Sequence, residues 1–152
     1  MPEQDQSLLA IFGDDYIRVW EDREAQYHLL RSSAPLDRLL ALCLLRNQDQ
    51  LPTSAREVIE QIAFGRAKGC LTDEQEIAWL MLSRVYGNSH DARVTAAAAH
   101  VVLASESHQS VRLGAYCALL YITDRAWNSS KPVSFLTFPE DVDWDLVKLY
   151  AV

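Results

Sequence analysis

Apolar and polar positions along this chain alternate with a helical period through most of its length. The clearest stretch is residues 90–124, where SHDARVTAAAAHVVLAS and SVRLGAYCALLYITD flank a polar break at 106–109. Two helices of about four turns, separated by so few residues, are antiparallel neighbours. Upstream, Tyr16, Ile17, Val19, Trp20, Tyr27 and Leu30 recur near a 3.6-residue period with Glu and Arg between them. That spacing predicts one amphipathic helix over about 14–30, behind a polar lead in which Gly13 ends a short helix. LDRLLALCLLRN, after Pro35, reads as a helix apolar on nearly every side. Ser54 with Glu57 and Thr72 with Gln75 have capping-box spacing. They open helices running to about Lys68, where Gly69 stops the first, and to about Tyr86.

After Ala126 the texture changes. Residues 128–132 read as a loop, VSFLTF has strand-like composition, and EDVDWDLVKLY reads as a short C-terminal helix from Pro139, with Thr137 near its cap. A single run of six residues has no strand to pair with, so VSFLTF is expected to be an extended packing segment.

Sliding the chain against itself gives one persuasive offset. Ala41, Ala78 and Ala115 are spaced by 37, as are Leu45, Leu82 and Leu119, and Cys43, Leu80 and Cys117. The alternate helices follow it where Ala55-Arg56 maps onto Ala92-Arg93 and Ala67 onto Ala104. A small residue at 41, 78 and 115 lets a neighbouring helix approach closely, and the Leu four places on fills the adjoining ridge. The plan is one domain, 1–152, of three helical hairpins at about 14–47, 53–86 and 90–124, followed by a tail over 126–152.

SVRLGAYCALLYI resembles the second-helix signature of HEAT repeats: a Val-Arg pair (Val111, Arg112), small residues at Ala115 and Ala118, then Leu119. The stretch 91–94 followed by Ala96–Ala99 is a looser relative, and the period near 37 is similar to that of the family. The resemblance spans roughly 36–124, and no Val-Arg pair precedes Ala78 or Ala41. It implies a right-handed α-α superhelix that serves as a scaffold for other proteins. The alternative architecture is an irregular helical bundle.

Composition narrows the function. Of 152 residues 49% are hydrophobic and only five are Gly and five Pro, which argues against all-β and disordered chains. Twenty-one acids against 14 bases give a net charge of −7, the opposite of a phosphate-binding surface. An Arg-lined face for nucleic acid would need Arg56, Arg93 and Arg112 to align; such arginines more often brace neighbouring helices to carboxylates. No apolar run reaches the 18 residues of a membrane span, and Met1 is followed by PEQDQS rather than a signal peptide. Three widely spaced cysteines (43, 70 and 117) suit reduced thiols. The expected location is the cytoplasm.

Catalytic signatures are missing. There is no phosphate loop, no Gly-x-Ser-x-Gly elbow and no cysteine pair at metal spacing. Written as a metal-dependent phosphohydrolase, His28, His90-Asp91 and Asp124 would be the ligands, but His90-Asp91 reads as a helix start. His100 reads as a core or boundary histidine and His108 as a solvated turn residue. Cys43 and Cys117 lie in apolar helices. Paired carboxylates such as Asp14-Asp15, Glu21-Asp22, Asp73-Glu74 and Glu140-Asp141 fall at helix starts, where they offset the macrodipole. The expectation is therefore no catalytic residue, no cofactor and no metal.

What remains is the aromatic cluster of the tail, with Trp127, Phe135 and Trp144 as candidate partner-binding residues. The alternative is that the tail folds back and caps the last apolar helix. The leading expectation is a protein-interaction module, an adaptor or inhibitor-type binding protein whose acidic balance favours a basic partner. The competing one is a helical-bundle enzyme or ligand-binding protein with a pocket built from non-sequential residues.

Overall fold

Local chemistry sets most of the helix ends in the computed structural model, which describes residues 6–48, 50–128 and 131–152. Residues 1–5 of the polar lead expected over 1–13 and the loop positions Asp49, Ser129 and Ser130 lie outside them. Helix α1 (Gln6–Phe12) stops at Gly13, whose φ of 57° is the left-handed conformation glycine adopts freely. Helices α2 (Asp14–Val19), α3 (Arg23–Leu30), α4 (Pro35–Leu45), α5 (Thr53–Ala63), α6 (Thr72–Val85), α7 (Ala92–Leu103), α8 (Gln109–Ile122) and α9 (Trp144–Tyr150) follow. Asp22, Asp91 and Asp143 cap α3, α7 and α9, each carboxylate accepting from a backbone N–H three residues on. Pro35 opens α4 at its first position, where a missing N–H costs nothing.

Five expectations are corrected. The helix expected over 14–30 is two helices, α2 and α3, broken at 20–22. Buried Gln26 explains how the break is tolerated, because its Nε2 donates to the freed carbonyls of Val19 and Trp20 at 3.0 and 3.1 Å. The helix opened near Ser54 begins at Thr53 with no side-chain cap, and it ends at Ala63 rather than Lys68. At α6 it is Glu74, not Gln75, that accepts from the Leu71 N–H, at 2.6 Å. In the tail, VSFLTF is not extended throughout, since Val133–Phe135 is a turn of 3-10 helix. The last helix starts at Trp144, not Pro139, because Asp141 holds a turn by accepting from the Thr137 N–H and hydroxyl.

The fold is all-α, and no strand occurs among the described residues. Neighbours in sequence pair as hairpins, α3 with α4, α5 with α6, and α7 with α8. The second helices pack in a row, α4 on α6 and α6 on α8, while α3 touches α5 and α9 lies on α7. Helices α6 and α8 run parallel. Their first turns meet one depression lined by Thr72, Gln75 and His108, and beyond their far ends Asn88 N–H donates to the Tyr121 carbonyl at 3.0 Å.

One core runs from Leu30 through Val147. A smaller cluster of Leu8, Tyr16, Val19 and Leu40 lies under α1 and α2. All six residues spaced by 37 at 41, 78, 115 and 45, 82, 119 are fully buried, whereas Cys43, Leu80 and Cys117 are all partly exposed. Helical geometry accounts for the contrast. Two residues along a helix is a turn of about 200°, so 43, 80 and 117 face away from the seam that holds the alanines.

Candidate functional site

The outward face of the second helices is not flat. Glu76, Leu80 and Ser83 of α6 form one wall of a groove of about 490 Å³. Ser110, Leu113, Gly114, Cys117 and Tyr121 of α8 form its floor, and Val133, Ser134 and Leu136 of the tail form its other wall. A second depression of about 420 Å³ shares Tyr121, Val133 and Ser134 with it and continues to Trp127 and Lys131. Leu80 is 49% exposed, Trp127 80% and Phe135 70%. Beneath the groove Trp79 is fully buried and stacks at 5.6 Å on Phe64, with no hydrogen-bond partner for its Nε1 among the described residues.

The three aromatic candidates divide. Trp127 stands in solvent where the second depression ends, and Phe135 is exposed on the tail without lining either depression. Trp144 is half-buried and meets Phe138 edge-to-face at 5.8 Å, and both rings pack on the core. Leu136, Val142 and Val147 are buried beside them, and the Tyr116 hydroxyl accepts from the Asp143 N–H at 3.1 Å. Most of the tail's apolar surface therefore covers the last hairpin, leaving two aromatics outside.

The arginines act as braces. Arg38 is buried and contacts the following hairpin: Nε donates to Glu74 Oε1 at 2.6 Å and Nη2 to the Lys68 carbonyl at 3.0 Å. Arg93 donates to both oxygens of Glu60 at 2.8 and 2.9 Å, joining α7 to α5, and the hydroxyl of Tyr86, the residue that ends α6, donates to the same carboxylate. Burial alone would raise the Glu60 carboxyl, but the hydrogen bonds from Arg93 and Tyr86 outweigh it and hold it below the usual range. Arg56 lies 5.8 Å over the Tyr86 ring. Arg112 donates to the Val102 carbonyl at 2.8 Å and lies 4.6 Å over Phe138. Arg56, Arg93 and Arg112 each make contacts within the fold.

A polar depression of about 830 Å³ opens between the turn after α5 and the turn after α7, lined by Arg66, Cys70, Gln75, His100, Glu106 and His108. Two of its polar groups have partners within the fold. His108 Nδ1 accepts from the Ser110 N–H, and Arg66 lies 5.3 Å over Phe64. Burial pushes the Cys70 thiol up to about 11, and likewise that of Cys117, so both are protonated and weakly nucleophilic at neutral pH. His28 is exposed on α3, Asp91 caps α7, and no three His, Cys, Asp or Glu side chains gather as a metal site among the described residues.

Leu80 and Leu113 were not singled out as surface residues by the sequence. The signal was present in the offset of 37, because Leu80 shares a register with Cys43 and Cys117, two places from the alanine seam. No protein-family profile, curated protein or solved structure matches the chain.

Proposed function

We propose that the chain is a small HEAT-like helical-repeat module that binds another protein in the cytoplasm and carries no chemistry of its own. The observation that carries this reading is the matched pair of stripes on the second helices. Positions 41, 78 and 115 bury a seam between hairpins, while on the opposite side Leu80 is exposed and Cys43 and Cys117 are half-buried. A face of this kind, continued by exposed Trp127, is the surface a partner buries. The net charge of −7 favours a basic partner by speeding encounter more than by tightening the complex.

The test is in-cell cross-linking followed by affinity purification of the tagged chain and quantitative mass spectrometry. One protein recovered in stoichiometric amount and cross-linked to the α6, α8 and 126–136 surfaces is the expected result. A monomer recovered without any partner overturns the reading.

A further inference from the structure

We infer that the groove between α6 and residues 133–136 receives an amphipathic helix of about three turns from another protein, laid antiparallel to α8 with a Lys or Arg of its last turn against Glu76. The inference rests on the interaction reading above and adds the form and charge of the partner.

Length comes from the floor. Ser110 to Tyr121 spans 11 residue steps of α8, about 16 Å at 1.5 Å per residue, which is three helical turns. Depth comes from Gly114. A Cβ built there would meet only the Trp79 Cβ, at 3.7 Å, an ordinary contact. The packing of α6 on α8 therefore does not require glycine in the middle of a helix that glycine weakens. Its bare backbone lowers the floor, where a second helix needs an axis separation of about 8–10 Å. The apolar groups along the groove, Leu80, Leu113, Cys117, Tyr121 and Val133, suit anchors at i, i+3 or i+4, and i+7, the pattern of a helix seated in a groove.

Charge sets the direction. Glu76 is the one charged residue lining the groove, and it makes no ion pair among the described residues. Asp73, three residues earlier on α6, is exposed. Both belong to the end where α8 begins. A helix favours Lys and Arg in its last turn, so a partner running antiparallel to α8 brings those cations to Glu76 and opposes the α8 dipole. Its first turn then lies at the Trp127 end.

The test uses a phage-displayed library of random 16-residue peptides selected on the immobilised 152-residue chain, followed by anisotropy titration of the enriched peptides. The expected peptides carry apolar residues at i, i+3 or i+4, and i+7 with a C-terminal Lys or Arg, and gain helical circular dichroism when bound. Leu80→Glu and Gly114→Leu, each checked for native circular dichroism, weaken them by about tenfold or more. Because Leu80 is half exposed, its variant keeps the test valid if Gly114→Leu does not fold. Glu76→Lys weakens them by about fivefold, and a peptide with Glu in place of its basic residue restores binding. Failure to enrich any peptide overturns the inference, as do peptides that bind Leu80→Glu as they bind the parent. So does concentration-dependent dimerisation that Leu80→Glu abolishes, which would assign the groove to a second copy. If a cellular partner is captured and binds Leu80→Glu unchanged, the groove assignment falls while the interaction reading stands. If neither partner nor peptide is found, both fall.

Discussion

Arg38 and Arg112 occupy the same place in two junctions, each the fourth residue of a second helix and 74 residues apart, twice the offset of 37. Both reach forward to whatever follows their hairpin. Arg38 meets another hairpin and is closed by a carboxylate, with the two side chains 5% and 0% exposed. Arg112 meets the tail and is closed by the face of Phe138, half in solvent. At the matching position of α6 stands Gln75, beside the Glu74 that receives Arg38. One side chain at one register thus serves as an internal bolt where the row continues and as an end cover where it stops. The physical difference is desolvation. A buried ion pair demands its partner, whereas a cation on a ring tolerates water on its other side.

Removing the cation separates the two junctions most sharply. Arg38→Ala strands Glu74 in the core and is expected to cost about 3–5 kcal/mol in urea unfolding, with most of it recovered when Arg38→Met is combined with Glu74→Leu. A loss below about 1 kcal/mol at Arg38 would show that water reaches the pair. Arg112→Ala is expected to cost about 1–2 kcal/mol from the lost ring contact and carbonyl bond, and a double-mutant cycle with Phe138→Leu isolates the ring's share. Tyr116→Phe tests the tail's attachment directly. It leaves the Asp143 N–H without its acceptor, an expected loss of about 1 kcal/mol by the same titration.

A third brace gives a pH signature. The Glu60 carboxyl is held below its usual range in the folded chain, so its stabilising contribution is complete above the unfolded value. That contribution is lost as pH falls toward the depressed folded value. Arg93 is mostly exposed, which keeps the effect under about 1 kcal/mol. Unfolding free energies of the parent and Glu60→Gln should therefore differ at pH 7 and converge in acid; parallel curves would remove Glu60 from the account. The smallest effect is expected at the tail's exposed aromatics. Trp127→Ala and Phe135→Ala should shift stability by no more than about 0.5 kcal/mol, since both rings stand in solvent. A larger loss would place them in the cap with Phe138 and Trp144.

The all-helical class and the burial of Ala41, Ala78 and Ala115 were legible from spacing alone, because a 3.6-residue period is a property of the chain itself. So was the helix start at His90-Asp91, where the structure makes Asp91 the cap. The break at 20–22 was not, because it depends on Gln26 folding back onto two carbonyls that sequence spacing leaves inside one continuous stripe. Nor was the tail. VSFLTF has strand composition, yet its conformation is set by the surface of α8 beneath it and by Asp141 gathering the Thr137 N–H and hydroxyl.

The candidate site divides in the same way. Trp127, Phe135 and Trp144 are alike in sequence, being aromatics in a polar tail, and only packing against Phe138 and the last hairpin separates Trp144 from the other two. The chain by itself determined most of the long helices and which of their faces are apolar, since both follow from local propensity and period. Tertiary structure alone decided which apolar faces are covered. Burial depends on the neighbour a face meets, and here that neighbour is another hairpin along α4 and α6, the tail over one side of α8, and the open groove on the other.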